Sequence, residues 1–166
     1  MYRRLALVAA IALSVAACHP KEQAKPAADT GANAAFLAKN AKEPGVTTLP
    51  DGLQYKITVS GPAGGEKPRA QDEVKVNYEG ALLSGDVFDS SFKRGEPATF
   101  PLNEVIPGWT EVMQLMRPGD EWVVWIPPQL GYGDEAKGAA IPANSVLKFR
   151  IQLLGVLKHD TPPAQG

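Results

Sequence analysis

The sequence predicts an α+β domain in which an antiparallel sheet wraps its apolar face around one short helix. Three observations predict it. Three segments alternate apolar and polar residues with period two, a fourth is apolar on both faces, and only one segment spaces its apolar side chains as a helix would.

Leu53, Tyr55, Ile57 and Val59 alternate with Gln54, Lys56, Thr58 and Ser60, the pattern of a strand with one wet face. Val74, Val76 and Tyr78 alternate with Lys75, Asn77 and Glu79, and Leu147, Phe149, Ile151 and Leu153 with Lys148, Arg150 and Gln152. Glu121 to Ile126 (EWVVWI) is a further strand, ended by Pro127-Pro128. It is apolar on both faces, so one face needs cover, and Trp122 and Trp125 point to opposite sides. Trp125 is expected to face outward as an apolar patch for the amino-terminal segment or for other chains. Trp109, Val112, Met113 and Met116 fall at i, i+3, i+4 and i+7, an amphipathic helix that Arg117-Pro118-Gly119 stops. Chain order alone does not give the topology.

The ends read differently. Arg3 and Arg4 precede an apolar run from Leu5 to Ala17, broken only by Ser14 and followed by Cys18. This is the pattern of a secretory signal, residues 1–17, far short of the ~20 apolar residues that span a bilayer. Val15-Ala16-Ala17-Cys18 resembles the lipobox of bacterial lipoproteins, in which the cysteine receives a diacylglycerol. Cys18 is the one cysteine of the chain, which excludes an internal disulfide, and a lipid thioether accounts for an unpaired thiol in an exported protein. His19 is not the aspartate that holds many lipoproteins in the inner membrane, so the expectation is an outer-membrane anchor facing the periplasm. Residues 18–45, rich in Ala, Lys and Pro, read as the lipidated cysteine and a flexible tether, with a short helix near Ala34 to Lys42 that has little to bury. The domain is expected over 46–158 and a disordered tail over 159–166.

Loss of residues 1–17 removes two arginines and takes the formal charge from −1 to −3, with no basic patch to attract nucleic acid. The two histidines, His19 and His159, stand near the ends, which argues against a metal site and leaves a serine hydrolase without a base inside the domain. Gly131-Tyr-Gly133 begins like a dinucleotide fingerprint, but Ala136 holds the third glycine position and no βαβ unit surrounds it. No cofactor is implied.

A set of short motifs then becomes specific by its order. Val76-Asn-Tyr-Glu-Gly80, Phe88-Asp-Ser-Ser91, Arg94-Gly-Glu-Pro97, Glu104-Val-Ile-Pro-Gly-Trp109, Pro127-Pro128, Gly131-Tyr-Gly133, Ile141-Pro142 and Val146-Leu-Lys-Phe149 resemble the successive signatures of FKBP-type peptidyl-prolyl cis-trans isomerases. The resemblance covers about residues 50 to 157. It implies a five- or six-stranded half-barrel around a short helix, with a proline side chain entering an aromatic pocket between them. Trp109 would be the floor; Tyr78, Phe88, Phe100, Val105, Ile141 and Phe149 the walls; Asp89 and Tyr132 the polar rim. Glu104 and the backbone N–H of Ile106 would meet substrate, and Arg94 would pair with Asp89 and orient it. Taken alone, Trp109, Tyr78 and Phe149 read as ordinary core.

The chemistry fits these residue types. Resonance holds an amide planar behind a barrier of ~18–20 kcal/mol, and at Xaa-Pro bonds cis and trans are nearly equal in energy. Twisting the bond reduces the charge separation between oxygen and nitrogen, so a dry pocket suits the twisted state better than the planar one. The implied activity is rotation of Xaa-Pro bonds in unfolded or partly folded exported proteins, with membrane attachment through Cys18. The alternative is a chaperone module that grips proline segments without turnover. Ala98, where many relatives carry another aromatic, and Lys137 with Ala139-Ala140 before Ile141 depart from the family pattern. They are expected to thin the rim and leave the floor.

Overall fold

The structure, a computed structural model, describes residues 26–159. The signal segment 1–17, Cys18, His19 and the tail beyond His159 lie outside the described residues.

Seven strands form one antiparallel sheet: β1 Val46–Thr48, β2 Gln54–Val59, β3 Glu73–Leu82, β4 Val87–Ser90, β5 Ala98–Pro101, β6 Glu121–Ile126 and β7 Leu147–Leu157. The order is β1-β2-β6-β7-β3-β4, with β5 beside the first half of β3 and β4 beside its second half. The long strands β3 and β7 pair from Glu73–Leu157 to Leu82–Leu147 and form the spine. Helix α1 spans Thr30–Asn40, the four-residue α2 spans Ser91–Arg94, and α3 spans Pro107–Met113. The expected architecture holds, with more strands than the five or six the resemblance implied.

Alternation on β3 and β7 places Val74, Val76, Tyr78, Leu147, Phe149, Ile151 and Leu153 on the concave face, and β6 adds Trp122, Val124 and Ile126. Helix α3 lies in that concavity, burying Trp109, Val112 and Met113, with Met116 following. Each such side chain contributes about 1.5–3 kcal/mol on leaving water. Pro107 at the first helical position needs no hydrogen-bonded N–H there. The helix ends at Met113, earlier than the apolar spacing to Met116 suggests, and the chain continues in turns to Pro118. Asp120 ties off this turn, accepting hydrogen bonds from the backbone N–H groups of Arg117 (2.7 Å) and Gly61 (2.5 Å).

Residues 26–45 differ from the expected flexible tether. Asp29 caps α1 by accepting from the N–H groups of Gly31 (2.8 Å) and Ala32 (3.1 Å). The C-terminal end docks on β2, where Gln54 donates to the carbonyl of Leu37 (2.8 Å) and accepts from Asn40 Nδ2 (2.8 Å). Gln54 stands opposite Trp125 on the convex face of the sheet. Trp125 does point outward, but only 8% of it is exposed, so no open patch is left. The docked helix meets the sheet at β2, the neighbour of β6. The expected faces of β2 hold at Leu53 and Tyr55 and at the exposed Lys56 and Thr58, but Gln54 is buried under the helix and Ile57 and Val59 are 48% and 51% exposed. At the other end His159 is tied rather than frayed, its N–H donating to Asp72 (3.1 Å).

On α3, Glu111 shares a hydrogen bond with Asp51 in the turn before β2. This contact, with partial burial behind it, pushes the Glu111 carboxyl up from 4.5 to about 7. The folded chain therefore holds a proton that the unfolded chain releases. The resulting stabilisation is complete below about pH 4.5 and is lost as pH rises through about 7. Asp51, lowered by the same hydrogen bond, works in the opposite sense, present above pH 3.8 and lost in acid below it. Glu111→Gln should melt on the order of 2 °C above wild type at pH 8, with the gap closing by pH 5. Thermal melts of both chains across that range check this, and a gap independent of pH would refute it.

Candidate active site

A cavity of about 300 Å³ opens between α3 and the concave face of the sheet, lined by Tyr78, Asp89, Phe100, Glu104, Val105, Ile106, Trp109 and Tyr132. Its floor is built by edge-to-face packing. The Trp109 ring meets Tyr78 at 5.3 Å, Phe100 at 5.6 Å and Phe149 at 5.3 Å between centroids, with interplanar angles of 88°, 90° and 81°. Such pairs add about 0.5–1.5 kcal/mol each beyond their buried area. Trp109 is fixed from both sides, because its helix is backed by Ile126 at Gly108, where a Cβ would stand 2.7 Å from the Ile126 side chain.

Of the residues expected at the pocket, Phe88, Ile141 and Phe149 do not line this cavity. Phe149 backs Trp109, and Phe88 packs edge-on against Phe149 at 5.7 Å, one ring further from the floor. Ile141 is buried in the core. Phe149, backed by Phe88, supports the floor from behind. Gly80 makes this possible: a Cβ there would stand 2.6 Å from the Phe88 ring and 2.7 Å from the Phe149 ring.

The rim is polar and tightly connected. The Tyr78 hydroxyl donates to Asp89 Oδ2, Arg94 Nη1 donates to Asp89 Oδ1, and Arg94 Nη2 donates to the Tyr78 hydroxyl (3.0 Å), closing a three-membered ring of contacts. The Arg94 guanidinium also lies 5.5 Å from the centre of the Tyr78 ring. Partial burial raises the Asp89 pKa, but the hydrogen bonds from Tyr78 and Arg94 and the Arg94 charge outweigh it and hold the carboxyl below its usual range. Burial first, and the Asp89 carboxylate second, push the Tyr78 hydroxyl up. The site thus carries a fixed carboxylate and a neutral phenol.

Local structure explains how sequence neighbours reach these places. Ser91, fully buried, accepts from the Tyr78 N–H through Oγ (2.8 Å) and so fastens the start of α2 to β3. Ser90 caps α2 by accepting from the Lys93 N–H (3.3 Å), and Gly95 closes it at φ 79°. Asp89 on β4 and Arg94 on α2 are thereby held against Tyr78. Sequence reading singled out neither Ser91 nor Gly80 as an organiser, although both stand inside motifs it quoted. Ile106 caps α3 with extended backbone, its carbonyl accepting from Trp109 (2.9 Å) and Thr110 (3.2 Å). Tyr132, on the opposite lip, has the Lys137 ammonium 5.4 Å from its ring centre, so the lysine of the loop covers the tyrosine. Among the described residues no cluster of three or more His, Cys, Asp or Glu side chains could hold a metal.

Both partners of the Arg94–Asp89 pair are well exposed, with side-chain exposures of 44% and 42%, so the pair adds little to stability and its effect is to fix a charge and an orientation. Arg94→Gln should leave the melting temperature nearly unchanged and move the Asp89 carboxyl titration upward. Carbon NMR of the labelled side chain reads this. An unmoved titration would mean that Arg94 does not hold the carboxylate.

Comparison with known proteins follows the same lines. The family described as FKBP-type peptidyl-prolyl cis-trans isomerase matches residues 64–154, and the domain amino terminal to FKBP-type peptidyl-prolyl isomerase matches residues 6–57. The chain is 51% identical over 124 residues to a peptidyl-prolyl cis-trans isomerase Mip of Coxiella burnetii, covering 75% of this chain and 53% of that one. It is 49% identical to an outer membrane protein MIP of Legionella longbeachae, over 75% and 52%. A crystal structure of a peptidyl-prolyl cis-trans isomerase from Pseudomonas syringae superposes with a TM-score of 0.72 at 36% identity, covering 78% of this chain and 93% of that one. The chain spans about half the length of the curated relatives it matches. The chain belongs to the family of FKBP-type peptidyl-prolyl cis-trans isomerases.

Proposed function

We propose that this protein accelerates cis-trans rotation about Xaa-Pro bonds in unfolded or partly folded exported chains. The observation that carries the reading is the cavity itself, about 300 Å³ with an aromatic floor and one oriented carboxylate at its lip. A proline seated on Trp109 leaves water on one side of its amide, and the twisted bond, with less charge separation, loses less by that than the planar one. The backbone N–H of Ile106 and the Tyr132 hydroxyl hold the flanking substrate carbonyls, and Asp89 lies near the twisting carbonyl. No nucleophile or general base takes part. Phe149, backed by Phe88, acts by keeping the floor in place.

The test is protease-coupled isomerisation of a short Xaa-Pro peptide by the full-length chain in mild detergent, against an uncatalysed time of ~10–100 s. Wild type should accelerate the reaction, and Asp89→Ala and Tyr132→Phe should each lower kcat/KM on the order of tenfold, the first by removing the fixed charge beside the twisting carbonyl and the second by removing a hydrogen bond to a flanking one. A folded wild type that binds proline peptides without acceleration would leave the grip-without-turnover reading in its place.

We further propose that residues 1–17 are an export signal, that Cys18 carries a lipid, and that the domain works in the cell envelope at the periplasmic face of the outer membrane. The basic start, the apolar run and the cysteine that ends it support this, as does the name of the Legionella longbeachae relative. Labelled palmitate fed to cells should enter the wild-type chain and not Cys18→Ser. Equal labelling of both would exclude the lipid from Cys18.

A further inference from the structure

Helix α1 is fastened at its other end to the loop that carries the upper lip of the cavity. The N–H of Ala28 donates to the carbonyl of Ala143 (2.8 Å), and Asn33 Nδ2 donates to the carbonyl of Asn144 (2.6 Å). Asn33 is buried to within 9% of full exclusion from solvent. Asn144 in turn donates its N–H to the carbonyl of Gly133 (2.7 Å), the residue after Tyr132. Asn144 is the one non-glycine residue with positive φ among the described residues, at 59°, a conformation that persists where its surroundings enforce it. Here the enforcement is visible, with one bond on the carbonyl side from α1 and one on the amide side to the Tyr132 loop. Within that loop, Gly133 also donates to Pro128 (2.8 Å), and Lys137 and Ile141 exchange backbone bonds (2.9 and 3.3 Å). The loop is therefore closed on itself, and Asn33 is its side-chain link to the amino-terminal helix.

We infer that Asn33 is a positioning residue for the active site, a strap that holds Asn144 and through it the Tyr132 lip, so that residues ahead of the half-barrel set how well substrate is held. The inference rests on the isomerase reading for its kinetic consequence and on geometry alone for the strap. Substrate meets Tyr132 and Ile106 from opposite lips, while the Trp109 floor is built by elements α1 does not touch through these bonds. Loosening the strap should therefore weaken substrate holding and spare the rotation step.

Asn33→Ala is the sharpest variant, because it removes the donor without setting a buried charge against the Asn144 carbonyl. In the full-length chain its KM for a short Xaa-Pro peptide should rise about three- to tenfold with kcat within twofold, the melting temperature should stay within a few degrees, and the Asn144 N–H should exchange with solvent about tenfold faster. Asn144→Gly keeps both backbone bonds and relieves the strained φ, so it should retain wild-type kinetics, whereas Asn144→Val, β-branched and excluded from positive φ, should reproduce the KM rise. Unchanged KM and unchanged exchange in Asn33→Ala would overturn the strap, as would a fall in kcat equal to the rise in KM. An inactive wild type would overturn the isomerase reading instead, and the Asn144 exchange rate would still decide whether the strap exists.

Discussion

Trp109 stands edge-on to three rings that come from three different strands, Tyr78 on β3, Phe100 on β5 and Phe149 on β7. No one of these contacts is large, but all three must form together for the cavity to have a floor. Their simultaneous formation is a condition on register. Val74 pairs with Phe100 and Gly80 with Phe149, so β3 fixes the positions of both flanking rings relative to Tyr78. A slip of one residue along β3 would turn Tyr78 to the convex face and leave Trp109 against a gap. The packing that holds the sheet to its helix and the surface that meets a proline are one arrangement, which is why Trp109 reads equally well as core and as site.

Much of this was legible in the sequence because it is periodic. Alternation over Val74 to Tyr78 and Leu147 to Leu153 marked the spine strands and their inward faces, and helical spacing from Trp109 to Met116 marked the buried helix, although its last turn unwinds before Met116. The rim was legible only through the order of short motifs, since Asp89, Arg94 and Tyr78 come from separate elements and no period links them. What escaped was either polar or defined by absence. Gly80 matters through the volume it leaves for Phe88 and Phe149, and nothing in a single sequence distinguishes it from a turn glycine. Phe88, Ile141 and Phe149 were carried over to the pocket wall from the family resemblance, yet Phe149 packs behind Trp109, Phe88 behind Phe149, and Ile141 lies in the core outside the cavity lining.

A short helix near Ala34 to Lys42 was expected, but the docking of α1 and its start at Thr30 escaped for a physical reason. Its attachments are Asn33, Asn40 and the Leu37 carbonyl, and the residue that receives it on β2 is Gln54 rather than a large apolar side chain. A helix held through buried amides shows no apolar stripe, so an alanine-rich stretch with two large apolar residues looks like a linker. Buried amide pairs of this kind fix geometry more strictly than apolar contact, because a slipped register leaves donors and acceptors unsatisfied at about 1–3 kcal/mol each.

The division between floor and rim gives the site its physical logic. The floor is buried and apolar, and the fold depends on it, so it tolerates little change. The rim is half-exposed, and its Tyr78–Asp89–Arg94 ring stores little free energy in water-screened contacts. What the rim does hold is direction: two hydrogen bonds fix both carboxylate oxygens of Asp89, so the charge faces the cavity at a set place whatever else moves. The opposite lip, with Tyr132 under Lys137, is set by loop bonds that run back through Asn144 to α1. A pocket of this build can change its grip on substrate by changing the lips, without disturbing the tryptophan on which the sheet closes.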